Sequence, residues 1–186
     1  EGLCIAGVFG GTKSGITEKT KNVFLESAYF SSEYVRKTSM HHGLKTDASF
    51  RFERGTDPNG TLYALKRAAL LMQEIAGAKI SSEVTDVYPQ QVENKTIVVR
   101  DSNINRLIGK VIPRERVVEI LESLDIKITD KKSDSFTVSV PPYRVDVQRD
   151  VDVIEDIMRI YGYNNVEFSD SLKSNISYSQ RPDSNK

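Results

Sequence analysis

The chain has 186 residues, with 26 Lys and Arg against 26 Asp and Glu and therefore no formal net charge; charged residues make up 28% and the AVILMFWYC set 38%. That balance suits a globular chain of one large or two small domains, and it excludes bulk disorder and the basic excess of an autonomous nucleic-acid binder. Apolar runs such as Ile97–Val99 and Ala68–Met72 are far too short to span a membrane, and the single cysteine, Cys4, excludes an internal disulfide framework or a cysteine-based zinc site and fits a reducing cytoplasm.

The chain starts Glu-Gly-Leu-Cys-Ile-Ala-Gly, with no initiator Met and no signal-peptide layout, so a piece cut from a longer protein is expected. Leu3–Phe9 reads as a strand ending at Gly10-Gly11, followed by a polar loop, Thr12–Gly15. Asn22–Phe30, rich in aromatic and β-branched residues, reads as a second strand. Ser31 or Ser32 caps a helix to about His42, stopped by Gly43. Asp57-Pro58 provides an N-cap and an N1 proline for a helix that places Leu62, Leu65, Ala69, Met72 and Ala76 on one face and ends at Gly77. Tyr88–Lys95 is polar and contains Pro89, and marks a domain junction.

Beyond it, Thr96–Arg100 reads as a strand, Asp101 or Ser102 caps a short helix closed by Gly109, and Pro113 opens a helix with a Val117, Ile120, Leu121 and Leu124 stripe. Ile126–Thr129 and Phe136–Val140 are strands about a charged turn, Asp130–Asp134. Two helices followed by a β-ribbon make a winged-helix-like unit. A last helix, about Asp150–Tyr161, stops at Gly162. The division is thus residues 1–90, residues 91–168, and a polar tail or linker over 169–186, in an α/β (α+β) chain.

Thr46-Asp47-Ala48-Ser49-Phe50-Arg51-Phe52-Glu53-Arg54-Gly55-Thr56-Asp57-Pro58 is a long and unusual string. It resembles the signature of bacterial phenylalanyl-tRNA synthetase β subunits in the domain that carries their editing site. Gly7–Gly11 with Ser14-Gly15, and Phe24–Phe30, resemble the two preceding blocks of that domain. Pro142–Asp146, Asp152–Asp156 and Arg159–Tyr163 are similar to the end of the neighbouring winged-helix-like domain. The blocks fall in the family's order over roughly residues 3–168. The resemblance implies a truncated editing domain followed by that smaller domain, in a cytoplasmic (αβ)2 heterotetramer that attaches phenylalanine to tRNA(Phe) with ATP. The ATP and phenylalanine pockets belong to the α subunit, and no phosphate-cradling G-x-x-x-x-G-K-[ST] motif occurs here. A membrane partner is not expected.

The resemblance further implies that Glu26 accepts a hydrogen bond from the hydroxyl of a mischarged tyrosine. Gly10 would be a pocket wall with no side chain, Thr46 a hydroxyl near the scissile ester, and Ala48 a small floor. An apolar pocket rejects an added hydroxyl only by about 10²-fold, so a second site that hydrogen-bonds the phenol corrects what the first admits. Part of that pocket lies upstream, and the piece by itself is expected to edit poorly. Read from the residues alone, Glu26 is an edge or solvent-facing side chain, Gly10-Gly11 a turn, and Thr46-Asp47 a capping pair. Asp47, Arg51, Glu53 and Arg54 are expected to pair their charges and shape a loop. His41 and His42 close a helix and, being adjacent, are expected on different faces, which makes a joint metal site unexpected.

Asp146, Asp150, Asp152, Glu155 and Asp156 crowd eleven residues. Positions 152, 155 and 156 share a helical face, and the resemblance implies a Mg²⁺ site at Asp146, Asp152, Glu155 and Asp156, shared with the α subunit. Asp156 stands where the family usually has Glu. From the residues alone, the same side chains complement a helix dipole, and Glu155 pairs with Arg159. The helix Pro113–Leu124 carries Arg114 and Arg116 but also Glu115, Glu119 and Glu122, so the winged unit reads as an interaction or scaffold domain and DNA binding is disfavoured. The competing reading for the whole chain is a non-catalytic interaction or DNA-binding winged-helix module.

Overall fold

The computed structural model describes residues 2–167 and shows an α+β chain of two bodies. The tail expected at 169–186 lies outside the described residues. The first body opens with a small antiparallel hairpin, β1 (Cys4–Ile5) and β2 (Phe9–Gly10), pairing Cys4 with Gly10 and Ile5 with Phe9. The single strand expected over Leu3–Phe9 is thus folded on itself, with the Val8 N–H donating to the Ile5 carbonyl at 2.9 Å. Gly7 makes the fold-back possible. Its φ is +68°, and a Cβ there would lie 2.9 Å from Phe30 Cδ2 and 3.0 Å from Val35 Cγ2.

The second expected strand, Asn22–Phe30, has no sheet partner in the structure. Its side chains have the β propensity, but propensity makes a strand only where a neighbouring edge completes the ladder. Helix α1 (Ser32–His42) follows and ends at Gly43 in the left-handed region, with φ 64°. The rings of His41 and His42, adjacent in the last turn of α1, meet edge to face at 4.8 Å.

Helix α2 (Asp47–Phe52) is a short element of the signature string that helical periodicity does not reveal. Helix α3 (Thr61–Ala76) begins later than Asp57-Pro58 suggests. The Asp57 carboxylate accepts from the Asn59 N–H at 2.9 Å, which forms a turn before the helix rather than its first turn. Of the apolar stripe of α3, Leu62, Leu65, Ala69 and Met72 are half-buried and Ala76 is exposed; no residue of the helix is fully buried, and Ile75 is 80% exposed.

The second body follows the sequence expectation closely. It consists of β3 (Lys95–Arg100), α4 (Asp101–Ile108), α5 (Arg114–Ser123), β4 (Lys127–Lys131), β5 (Ser135–Val140) and α6 (Asp150–Tyr161). The strands form one antiparallel sheet in the order β3–β5–β4, with Ile97 opposite Val138 and Val99 opposite Phe136. One face of this sheet and the inward sides of α4, α5 and α6 make a continuous core. Of the eighteen buried apolar side chains among the described residues, only Val8 and Val35 lie in the first body. Stability is therefore concentrated in the second.

The bodies are tied at two places. The Tyr88 hydroxyl, in the polar junction, donates to Asn59 Oδ1 at 2.9 Å and accepts from the Val92 N–H at 3.0 Å, folding the junction back on the turn before α3. Gly55, at φ +90°, lies against Val145, so a Cβ there would come within 2.7 Å of Val145 Cγ1. Leu121→Ala, at a site with 0% exposure, is expected to lower stability by about 2–5 kcal/mol, while Ile75→Ala stays within about 0.5 kcal/mol, both read from urea unfolding.

Candidate functional site

The hairpin, the extended segment before α1, and α2 enclose a cleft of about 380 Å³. Its walls are Cys4, Ile5, Gly7, Val8, Phe9 and Gly10 on one side, Glu26, Ser27, Ala28 and Phe30 on another, and Ala48 and Phe52 on the floor. Phe30 and Phe52 meet edge to face at 5.0 Å and form the apolar back. Three of the four expected positions, Gly10, Glu26 and Ala48, therefore line a single open cleft whose surface is part polar and part apolar. The size lies within the range of small-molecule sites.

Glu26 is exposed at the rim and has no hydrogen bond or ion pair among the described residues. Glu26, Ser27 and Ala28 line both this cleft and a larger groove, about 1050 Å³, between the 24–29 segment, the start of α3 and the 85–93 junction. A Cβ on Gly10 would meet no atom within 4 Å, so any side chain there would project into open space.

Thr46 is not among the lining residues. Its hydroxyl donates to the Val8 carbonyl at 2.6 Å and accepts from the Ser49 N–H at 3.0 Å. The sequence reading placed this hydroxyl beside the reacting ester; the structure shows it capping α2, with its only proton given to the hairpin backbone. Of the charged residues nearby, Arg54 donates to the Phe50 carbonyl and to Glu53, both at 2.9 Å, and covers the Phe50 ring, so it shapes the loop. Phe30 and Phe52 are the lining residues that motif reasoning does not single out, because aromatic residues in such runs read as core.

The acidic set of the second body is arranged differently from its helical spacing. Arg144 donates to Asp146 at 3.1 Å and to the buried Asp156 at 2.6 Å. Asp152 turns back to cap α6, accepting from the backbone N–H groups of Gln148 at 3.0 Å and Arg149 at 2.8 Å. Glu155 points to solvent and lies 3.8 Å from Arg159, while Asp150 accepts from Asn103. Positions 152, 155 and 156 leave one face of the helix, but their side chains serve three separate partners. Among the described residues no three metal-ligating side chains converge. The set does not fit a divalent ion in this arrangement, because a guanidinium already bridges two of its carboxylates.

The hydrogen bond from Arg144 is the main reason Asp146 titrates below its ordinary value of 3.8, and the bond to Asp146 holds Arg144 above its own ordinary range. Asp152 is likewise lowered, first by the Arg149 side chain and then by the Gln148 N–H.

On the winged unit, the two arginines of α5 are engaged within the domain. Arg114 donates to the carbonyls of Lys132, Ser133 and Ser135, lies over the Phe136 ring at 4.3 Å and faces Asp101 at 3.3 Å. Arg116 pairs with Glu119 at 2.9 Å. Arg114 is thus held against the domain, while Arg116 stays half exposed on its surface. No helix of the described residues is long and apolar enough to cross a membrane.

Comparison with known proteins matches residues 1–77 to the B3/4 domain and residues 97–163 to the tRNA synthetase B5 domain. The phenylalanine–tRNA ligase β subunit of Bacteroides fragilis (strain YCH46) is 57% identical over 176 residues, covering 95% of this chain and 22% of that protein. The corresponding subunit of Porphyromonas gingivalis (strain W83) is 49% identical over 181 residues, 97% of this chain and 22% of its own length. That of Geobacter metallireducens (strain GS-15) is 39% identical over 166 residues, 89% and 21% respectively. The chain spans between a fifth and a quarter of the length of these relatives.

Arg144→Met leaves Asp156 buried without its cation and is expected to cost about 3–5 kcal/mol. The Asp146 contribution is complete above that residue's ordinary value of 3.8 and is lost as the pH falls toward its depressed one. Urea midpoints taken from neutral pH downward should therefore fall more steeply below about pH 4 in the native chain than in Arg144→Met.

Proposed function

Because the chain belongs to the phenylalanine–tRNA ligase β-subunit family, we propose that its first body forms one wall of the site that hydrolyses tRNA(Phe) mischarged with tyrosine. The setting is the whole enzyme, an (αβ)2 assembly in the cytoplasm that joins phenylalanine to tRNA(Phe) with ATP; no ATP-binding role falls to this chain. The observation that carries the reading is Glu26: an exposed, unpaired carboxylate on a cleft that is backed by the Phe30–Phe52 pair and also includes Gly10 and Ala48.

The chemistry follows from the hydroxyl that separates the two amino acids. The aromatic ring enters between the hairpin and the Phe30–Phe52 pair, and the phenol donates its proton to Glu26. Phenylalanine brings no donor, so binding it displaces water from the carboxylate without replacing the hydrogen bond, at a cost of about 1–3 kcal/mol. That cost is felt in full only where the carboxylate is shielded from water. Glu26 is exposed in this chain, and other parts of the β subunit are proposed to cover it. Gly10 leaves the entrance open for the amino acid. Hydrolysis then needs a positioned water at the ester, because the described lining holds no Ser–His–Asp arrangement.

The second body serves as scaffold between subunits and toward tRNA. Its α5 arginines are spent on internal bonds, and its core is self-sufficient.

In the intact two-subunit enzyme, Glu26→Ala should slow clearance of Tyr-tRNA(Phe) by about tenfold or more, the size of one lost hydrogen bond to a charged group. Deacylation at the native rate would refute the assignment. Gly10→Trp should block clearance while changing unfolding free energy by no more than about 0.5 kcal/mol, because its side chain meets no protein atom. The 186-residue chain by itself should hydrolyse Tyr-tRNA(Phe) only weakly, and robust turnover would show that no covering wall is needed.

A further inference from the structure

We infer that Ser49, which does not touch the cleft, is a positioning residue for hydrolysis there, acting with Thr46 as a clasp that fixes the distance between floor and wall. The inference rests on the proposed editing role of the cleft. Ser49 is 2% exposed and is not among the lining residues. Its hydroxyl accepts from the Thr46 N–H at 2.9 Å and donates to the Thr46 carbonyl at 3.0 Å. Its own N–H donates to Thr46 Oγ1 at 3.0 Å, and that hydroxyl donates to the Val8 carbonyl at 2.6 Å.

This accounting places Thr46 as well. A hydroxyl has one proton, and here it is committed to a backbone carbonyl thirty-eight residues away. Thr46 therefore has no proton to offer an ester or a water. It holds the start of α2, which carries Ala48, to the hairpin, which carries Val8 and Gly10. Ser49 orients it by supplying both halves of the reciprocal cap. In a body with few buried apolar side chains among the described residues, packing alone does not set that spacing. Misplacing a reacting group by about 1 Å costs up to about 10²-fold in rate.

The test uses the intact two-subunit enzyme with Tyr-tRNA(Phe) as substrate, and phenylalanylation as the control for assembly. Ser49→Ala should lower the deacylation rate at saturating substrate by about tenfold to 10²-fold, with KM and the preference for Tyr- over Phe-tRNA(Phe) little changed. Thr46→Ser, which keeps both bonds, should restore native rates. Thr46→Asp is a second probe should Ser49→Ala fail to assemble. Aspartate caps a helix as well as threonine does but has no proton for the Val8 carbonyl, so it should lose deacylation. Native deacylation by Ser49→Ala or by Thr46→Asp would overturn the inference. Glu26→Ala run in parallel separates the two claims: if it slows clearance while Ser49→Ala does not, the clasp is wrong and the cleft stands; if neither does, the cleft reading itself fails.

Discussion

A single hydrogen bond, from the Thr46 hydroxyl to the Val8 carbonyl, joins the two halves of the cleft. Its importance comes from how little else does. The hairpin is two residues long on each side, α2 is six residues long, and the extended segment before α1 has no sheet partner. Elements this short have little intrinsic stability, and their arrangement depends on specific contacts. Gly7 supplies another such contact by letting the hairpin turn press against Phe30 and Val35. With these contacts, Gly10, Glu26 and Ala48 face a common space; without them they are three separate points on a polar surface.

The second body has the opposite economy. Its sheet and three helices enclose a continuous apolar core, and its prominent charges are used inside it. Arg114 staples the turn between β4 and β5, and Arg144 bridges Asp146 and Asp156 at the entrance to α6. A guanidinium can donate to several oxygens at once, so each arginine orders a loop that has few apolar contacts of its own. The Arg144 bridge also explains why no cation site forms from the acidic cluster among the described residues. Charges that look available in a sequence are already committed.

The contact of Gly55 with Val145 links these two bodies through the loop that Arg144 orders. A rigid second body thereby abuts the signature string at the point where it leaves α2. That geometry suits a scaffold which orients a weakly packed site, and the contact joins the stretches of this chain that match the B3/4 and B5 domains.

What was legible in the sequence was whatever depends on local chemistry. The helix stops at Gly43 and Gly109, the stripe of Val117, Ile120 and Leu121, and the boundaries of α6 could all be read from neighbouring residues, because caps and periodicity act over a few positions. The α+β class and the family followed from strings of residues in order. Tertiary structure alone decided the rest. Leu3–Phe9 became a hairpin in which Gly7 packs close to Phe30, and Asn22–Phe30 pairs with no strand among the described residues. Thr46 spends its proton on Val8, and Asp152, Glu155 and Asp156 part company although they share a face. In each case the deciding partner lies elsewhere in the chain or on the backbone, and a side chain's residue type says what bonds it is able to make but not which atom will take them.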